Sequence, residues 1–212
     1  MGYLILKRIA AAVPVMLVVA TIVFILLRLS PGDPAMVLAG DMASPQEVAQ
    51  IRARLGLDRP LPVQYATWLG DMARGDFGVS ILSKRPVLEL ILARLEPTFV
   101  LAFCAIVLTV LLAVPLGATA AWYHNSWIDR AVMAASVLGF SIPAFVIGYL
   151  LILGLSMSLD IFPSQGYVSP FADPLGAARH LALPSLTLSV VFMALIARVT
   201  RSSVLDVLGE DF

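Results

Sequence analysis

The chain has 212 residues, 60% hydrophobic and only 13% charged, with a mean hydropathy of +0.94. An average soluble domain carries about twice that charged fraction. Fourteen basic residues cancel fourteen acidic ones, which leaves no basic surface to neutralise phosphates and argues against a nucleic-acid partner. The lone Cys104 has no disulfide partner, and two distant histidines do not complete a zinc site with it. The composition is that of an all-α integral membrane protein surrounded by a lipid bilayer.

The first uncharged stretch covers residues 9–27 and has 19 residues. At 1.5 Å per residue a helix needs about 20 residues to cross the hydrocarbon. Lys7-Arg8 before it matches the start of a signal peptide. However, the run exceeds the usual apolar core of about 7–15 residues, and Arg28-Leu29-Ser30-Pro31 carries no small-residue cleavage pattern. An uncleaved first helix is expected, with Lys7 and Arg8 holding the N-terminus in the cytoplasm.

Residues 30–96 then form a 67-residue segment expected outside the membrane. Ser44-Pro45-Gln46-Glu47 combines an N-cap serine, a proline at the first helical position and a glutamate placed for a capping box. Val48, Ile51 and Leu55 follow on one face, and Gly56 can end the helix. A second helix places Tyr65, Trp68, Leu69 and Met72 at i, i+3, i+4 and i+7, with Arg74 and Gly75 as stop signals. A third carries Leu88, Ile91, Leu92 and Leu95 toward Pro97. These apolar faces must be covered by each other, by the membrane surface or by a partner.

Three further uncharged stretches follow, at residues 97–123, 131–159 and 180–197, with 27, 29 and 18 residues. They do not alternate in polarity as barrel strands do. Four crossings bring the C-terminus back to the cytoplasm beside Arg198 and Arg201, with residues 122–130 also inside. Pro115 and Pro143 remove backbone donors inside the second and third stretches, so the helices there must bend or find compensation. Pro143 is the candidate pathway hinge. Ala113-x-x-x-Gly117 and Ala144-x-x-x-Gly148 place small residues one turn apart, as packing sites first and gating hinges second.

No Asp, Glu, Lys or Arg lies within these stretches, which disfavours an ion-driven carrier. No GxxxxGK[ST] phosphate loop, HExxH or GxSxG is present. Ser202-Ser203 near Asp206 reads as a helical surface, and His124 and His180 read as interfacial residues. No catalytic, cofactor-binding or metal-ligating residue is expected. A channel or secondary carrier, binding ions at unwound backbone, is the alternative transport class.

Leu55-Gly-Leu-Asp-Arg-Pro-Leu-Pro-Val-Gln-Tyr65, Trp68-Leu69-Gly70 and Gly75-Asp76-Phe77-Gly78-Val79-Ser80 carry a family resemblance. So do Ser30-Pro-Gly-Asp-Pro34, Arg85-Pro86-Val87, Ser141-Ile-Pro-Ala-Phe145, Pro163-Ser-Gln-Gly166 and Leu183-Pro184-Ser185-Leu186-Thr187-Leu188. Arg198-Val-Thr-Arg201-Ser202-Ser203, leading into Glu210-Asp211-Phe212, completes the series. In this order the chain resembles the first type of permease subunit in dipeptide, oligopeptide and nickel ABC importers.

The resemblance implies a six-helix type I importer permease, of which the four apolar stretches supply four helices. Residues 1–29 would be the N-terminal transmembrane helix, 30–96 an extracytoplasmic helical segment, and 97–212 the importer transmembrane domain. It also implies a second permease subunit, two ABC ATPase subunits that hydrolyse ATP, an extracytoplasmic substrate-binding protein, and no enzymatic activity of the chain itself. Glu210, Asp211 and Phe212 fall where the family's ATPase-coupling loop begins. The coupling motif and last two helices are therefore expected to lie outside these 212 residues, and the chain by itself is expected neither to transport nor to couple to ATP.

Overall fold

The computed structural model describes residues 2–29, 32–40, 42–80 and 82–209. They divide into two units, Met1–Ile91 and Leu92–Phe212, each built from helices.

The first unit begins with α1, Gly2–Leu29, a helix long and apolar enough to cross a membrane. Short α2, Pro34–Ala39, is capped by Asp33, whose carboxylate accepts from the Ala35 amide at 2.9 Å. Helix α3, Pro45–Arg54, starts with the expected capping box. Glu47 donates its amide to Ser44 Oγ at 3.3 Å, and its carboxylate accepts from the Ser44 amide at 2.7 Å. An Arg52–Asp33 ion pair ties α3 to the cap of α2. Both α3 and α4, Leu61–Ala73, stop in the same way. Gly56 and Gly75 take positive φ of 65° and 84°, a conformation that side chains disfavour. The following amides of Leu57 and Asp76 then reach back to the carbonyls of Arg52 and Asp71 at 3.0 and 2.9 Å.

Two members of the apolar stripe of α4, Tyr65 and Trp68, pack against α1. Phe24, 8% exposed, meets Tyr65 edge-on at 5.2 Å and Trp68 at 5.5 Å between ring centroids. Aromatic pairs favour such edge and tilted arrangements. Thr21 Oγ1 and the Tyr65 hydroxyl share a 2.6 Å hydrogen bond, so the one polar atom of Tyr65 is also satisfied. Of the three possible covers for that face, another helix of the same unit provides the one over Tyr65 and Trp68.

The third amphipathic helix and the second apolar stretch are not separate elements. They form one helix, α5, Val87–Trp122, of 36 residues, which runs through both Pro97 and Pro115. At 1.5 Å per residue it is about 54 Å long, well beyond the ~30 Å of hydrocarbon. Part of it must therefore stand clear of the membrane.

In the second unit, α6, Trp127–Ser141, and α7, Ala144–Leu151, follow α5. A π-helical segment, Ile152–Ser158, extends α7. Then comes α8, Pro174–Leu208, of 35 residues, which is continuous through Pro184. Helices α5 and α8 are each long and apolar enough to span, and α6 with α7 passes the same test as a pair bent by 102°. Two contacts place the ends of this bent pair. Helices α5 and α8 meet at Gly117 and Ala197, while Glu96, 21 residues or about 32 Å earlier on α5, bonds the Tyr167 hydroxyl ahead of α8 at 2.9 Å. The pair starts with Asp129 bound to Arg201, near the Gly117 end, and leads into the loop containing Tyr167 at the Glu96 end. It therefore runs from the level of Gly117 to that of Glu96, as a broken span would, and with α1, α5 and α8 the described residues supply up to four candidate spans.

Packing in this unit is inverted relative to a soluble core. Ala105, Ala113, Ala120, Ala121, Ala194 and Ala197 are buried, and Ser189 is the largest side chain under 2% exposed among the described residues. Phe99, Phe103, Leu111, Phe140 and Phe192 point outward. Lipid is as apolar as leucine, so only close backbone approach is left to hold helices together. Gly117 is the extreme case: a Cβ there would lie 2.5 Å from the Ala197 carbonyl oxygen and 2.8 Å from Thr200 Cβ. Gly139 faces Val190, and Gly148 faces Thr187, so α8 takes a small residue from each of three neighbours.

Gly117→Ala should accordingly force α5 away from α8 and destabilise the detergent-solubilised protein by about 1–3 kcal/mol. Gly154→Ala, whose added methyl meets nothing within 4 Å, is the matched control. Thermal unfolding of the two variants checks this, and equal melting would contradict the close-approach account.

Candidate functional site

Three features of the second unit bear on function: a broken span, an apolar cavity and an ionic cluster at one end of α8. The break lies where the sequence puts Pro143. Proline lacks an amide donor and drives the preceding residue out of the helical region. Ile142 accordingly sits at φ −87°, ψ 125° and Pro143 at φ −57°, ψ 137°, both extended. Their backbone is not orphaned: the Ile142 amide donates to Leu138 O at 3.1 Å, and Pro143 O accepts from Val146 at 2.9 Å. The structure thus has two helices at 102° where a kinked single helix would have been the milder outcome. A second irregularity, the π segment, follows eight residues after α7 begins. There the Ser158 hydroxyl bonds the Leu153 carbonyl at 2.8 Å. Such wide turns are frequent at functional sites.

The cavity, about 280 Å³, lies between α5, α6 and α8, where Leu116, Ser136, Gly139, Val190, Met193 and Ala194 line it. Among the described residues no charged side chain lines it. It follows from the small-residue seam, since glycine and alanine leave space between backbones wherever the helices diverge.

The ionic cluster is built from the turn between α5 and α6. Ser126 caps α6, its hydroxyl accepting from the Ile128 and Asp129 amides at 3.2 and 3.4 Å. This brings Asp129 into the first turn of α6, a favourable place for a carboxylate. Its Oδ2 accepts from the Asn125 amide at 3.0 Å. Arg201 on α8 then grips both carboxylate oxygens, through Nε at 2.5 Å and an Nη at 2.7 Å. The same Nη lies 3.1 Å from His124 Nδ1. Asp129 is only 4% exposed, yet every interaction around it favours its charged form. The Arg201 hydrogen bonds outweigh the opposing effect of burial and, with the Asn125 amide, hold the carboxyl at about 2 against an ordinary 3.8. Asp129 precedes the uncharged stretch at residues 131–159, so this charge lies outside the hydrocarbon-spanning segment.

Of the candidate residues from the sequence, Pro143 is at the break, and Glu210, Asp211 and Phe212 lie outside the described residues. His124 is drawn into the Asp129–Arg201 cluster. Sequence reasoning missed Asp129. The available signal was Ser126-x-x-Asp129, an N-cap pattern, but nothing in it points to an arginine 72 residues away.

Comparison with known proteins agrees with this architecture. Residues 1–102 match the family described as the N-terminal part of binding-protein-dependent transport system membrane components. Residues 113–212 match the binding-protein-dependent transport system inner membrane component. A probable peptide ABC transporter permease from Sinorhizobium fredii is 46% identical over 212 residues, covering 100% of this chain and 68% of the relative. A putative peptide transport system permease from Brucella abortus is 45% identical over 213 residues, with the same two coverages of 100% and 68%. A glutathione transport system permease from Salmonella choleraesuis is 42% identical over 208 residues, covering 98% of this chain and 65% of the relative. The molecule is a multi-pass helical protein of the inner membrane, a transport component and not an enzyme. The chain belongs to the binding-protein-dependent transport system permeases, as a type I permease subunit of an ABC importer.

The Asp129 carboxyl gives a pH prediction. Its pKa is lowered on folding, so its stabilising contribution is complete above 3.8 and disappears as pH falls through about 2. Wild type should therefore be more stable than Asp129→Asn at neutral pH, with the difference shrinking below 3.8 and vanishing near 2. Denaturation of both proteins in detergent across that range reads this out. A difference that persists unchanged at the acid end would show that the contact is not ionic.

Proposed function

We propose that this chain is one of two permease subunits forming a pathway for short peptides. In this reading two separate ATPase subunits hydrolyse ATP, and an extracytoplasmic binding protein delivers the solute. The observation that carries the reading is identity of 42–46% over essentially the whole chain to permeases named for peptide and glutathione transport. Glutathione is itself a tripeptide, so these names favour peptides over nickel as the solute. Charge-free spans and the lack of a phosphate loop support an external driving force. The bend at Pro143 supports a hinge in the pathway, where two rigid helices can change their mutual angle without breaking further hydrogen bonds. The α3–α4 region supports a folded extracytoplasmic platform for the binding protein.

The direct test is reconstitution of the gene product with its ATPases, second permease and binding protein in proteoliposomes. ATP-dependent uptake of short peptides, lost when any component is omitted, is the expected result. Uptake driven by an ion gradient without the ATPases would replace this reading by a secondary carrier.

Lys7 and Arg8 early in α1, with Arg198 and Arg201 late in α8, support a cytoplasmic N-terminus and C-terminus. The Asp129–Arg201 contact supports placing residues 122–130 on the same side as Arg201. With Cys104 replaced, Ser44→Cys should react with a membrane-impermeant thiol reagent on intact spheroplasts. Reaction only after the membrane is opened would reverse the orientation.

A further inference from the structure

The Asp129–Arg201 pair joins three pieces of chain at one end of α8. Arg201 lies one turn beyond Ala197, where α8 touches Gly117 of α5. Asp129 opens α6, and the Asn125 amide fastens the same carboxylate to the turn following α5. One carboxylate thus binds the α5–α6 turn, the first turn of α6 and the late part of α8 together.

Holding helices together does not require such a pair. Gly117 and Gly139 already bring α5 and α6 onto α8. A buried ion pair also contributes little net stability compared with well-packed apolar groups, because both ions lose water. What the pair adds is direction. Two charge-assisted hydrogen bonds to a planar guanidinium fix position and angle, whereas a glycine and alanine seam supplies no directional polar contact. The pair also sits at the end of α8 from which the chain runs on toward residue 210.

We propose that Asp129 and Arg201 are positioning residues that make the α5–α6 turn move as one body with the late part of α8. This rests on the importer reading above, in which ATPase subunits displace that end of the permease. Displacement of α8 is then passed through Arg201 to the start of α6, and along α6 to the break at Pro143. Without the pair, α8 moves along its seam and leaves α6 behind, so ATP is hydrolysed while the pathway stays unswitched. Coupling of this kind needs a connected element with two arrangements, and the bent pair α6–α7 is that element.

The test measures peptide uptake and ATP hydrolysis on the same proteoliposomes, with the full set of subunits. Wild type is compared with Asp129→Asn, Arg201→Gln and the conservative Asp129→Glu. In the first two, ATP hydrolysis should stay near wild type while peptide moved per ATP falls roughly tenfold. Asp129→Glu, which keeps the charge, should retain most of the ratio. A merely structural role would reduce the amount of working complex, lowering both rates together and leaving their ratio unchanged. That result overturns the proposal, as does failure of both Asp129→Asn and Arg201→Gln to assemble, which would make the pair a folding contact. A wild-type complex that takes up no peptide would instead strike the importer reading on which the proposal stands.

Discussion

Gly117 lies against the backbone of α8 so closely that a single methyl would collide with the Ala197 carbonyl at 2.5 Å. The second unit depends on that constraint. In hydrocarbon there is no gain from hiding leucine from its surroundings, so helices associate through dispersion between backbones that approach closely. Small residues therefore mark the interior, and the phenylalanines face out. Gly139 and Gly148 also face α8, at the looser 3.6 and 3.4 Å for an added Cβ, which makes that helix the axis against which α5, α6 and α7 are placed.

A seam of this type has a mechanical consequence. Small residues let the backbones approach closely but supply no directional polar contact. In the proposed reading the ionic cluster at Asp129 is a restraint at one end, and the break at Pro143 is the hinge in the middle of the span. Rigid helices joined by one soft point and one firm point suit alternating access, which needs rigid pieces that reorient without melting. The same span could not do this as an unbroken helix, because bending it would cost backbone hydrogen bonds in a medium that offers no replacements.

Several elements were legible before the structure because their causes are local. The capping box at Ser44 and Glu47 is a short-range hydrogen-bond pattern, and α3 starts there. The stripe Tyr65, Trp68, Leu69 and Met72 is a helical period, and α4 follows it. Less was legible at Pro97 and Pro143, although both are prolines in apolar surroundings. Pro97 is absorbed into the 36-residue α5, whereas Pro143 separates two helices by 102°. Proline deletes a donor in both places. Whether the chain bends depends on what the neighbouring turns and helices do with the freed carbonyl, which local sequence does not encode.

The sequence by itself determined that the chain is helical, that it lives in a bilayer, which stretches are apolar enough to be candidates for crossing it, and which family it resembles. Each of these follows from composition, from runs of a length set by the bilayer, or from short ordered motifs. Tertiary structure alone decided that Phe24 packs on Tyr65 and Trp68, that Glu96 meets Tyr167 and that Asp129 meets Arg201. These contacts join residues 44 to 72 positions apart. Their formation depends on the angles and offsets of packed helices, and a one-dimensional pattern of apolar and polar residues does not specify them.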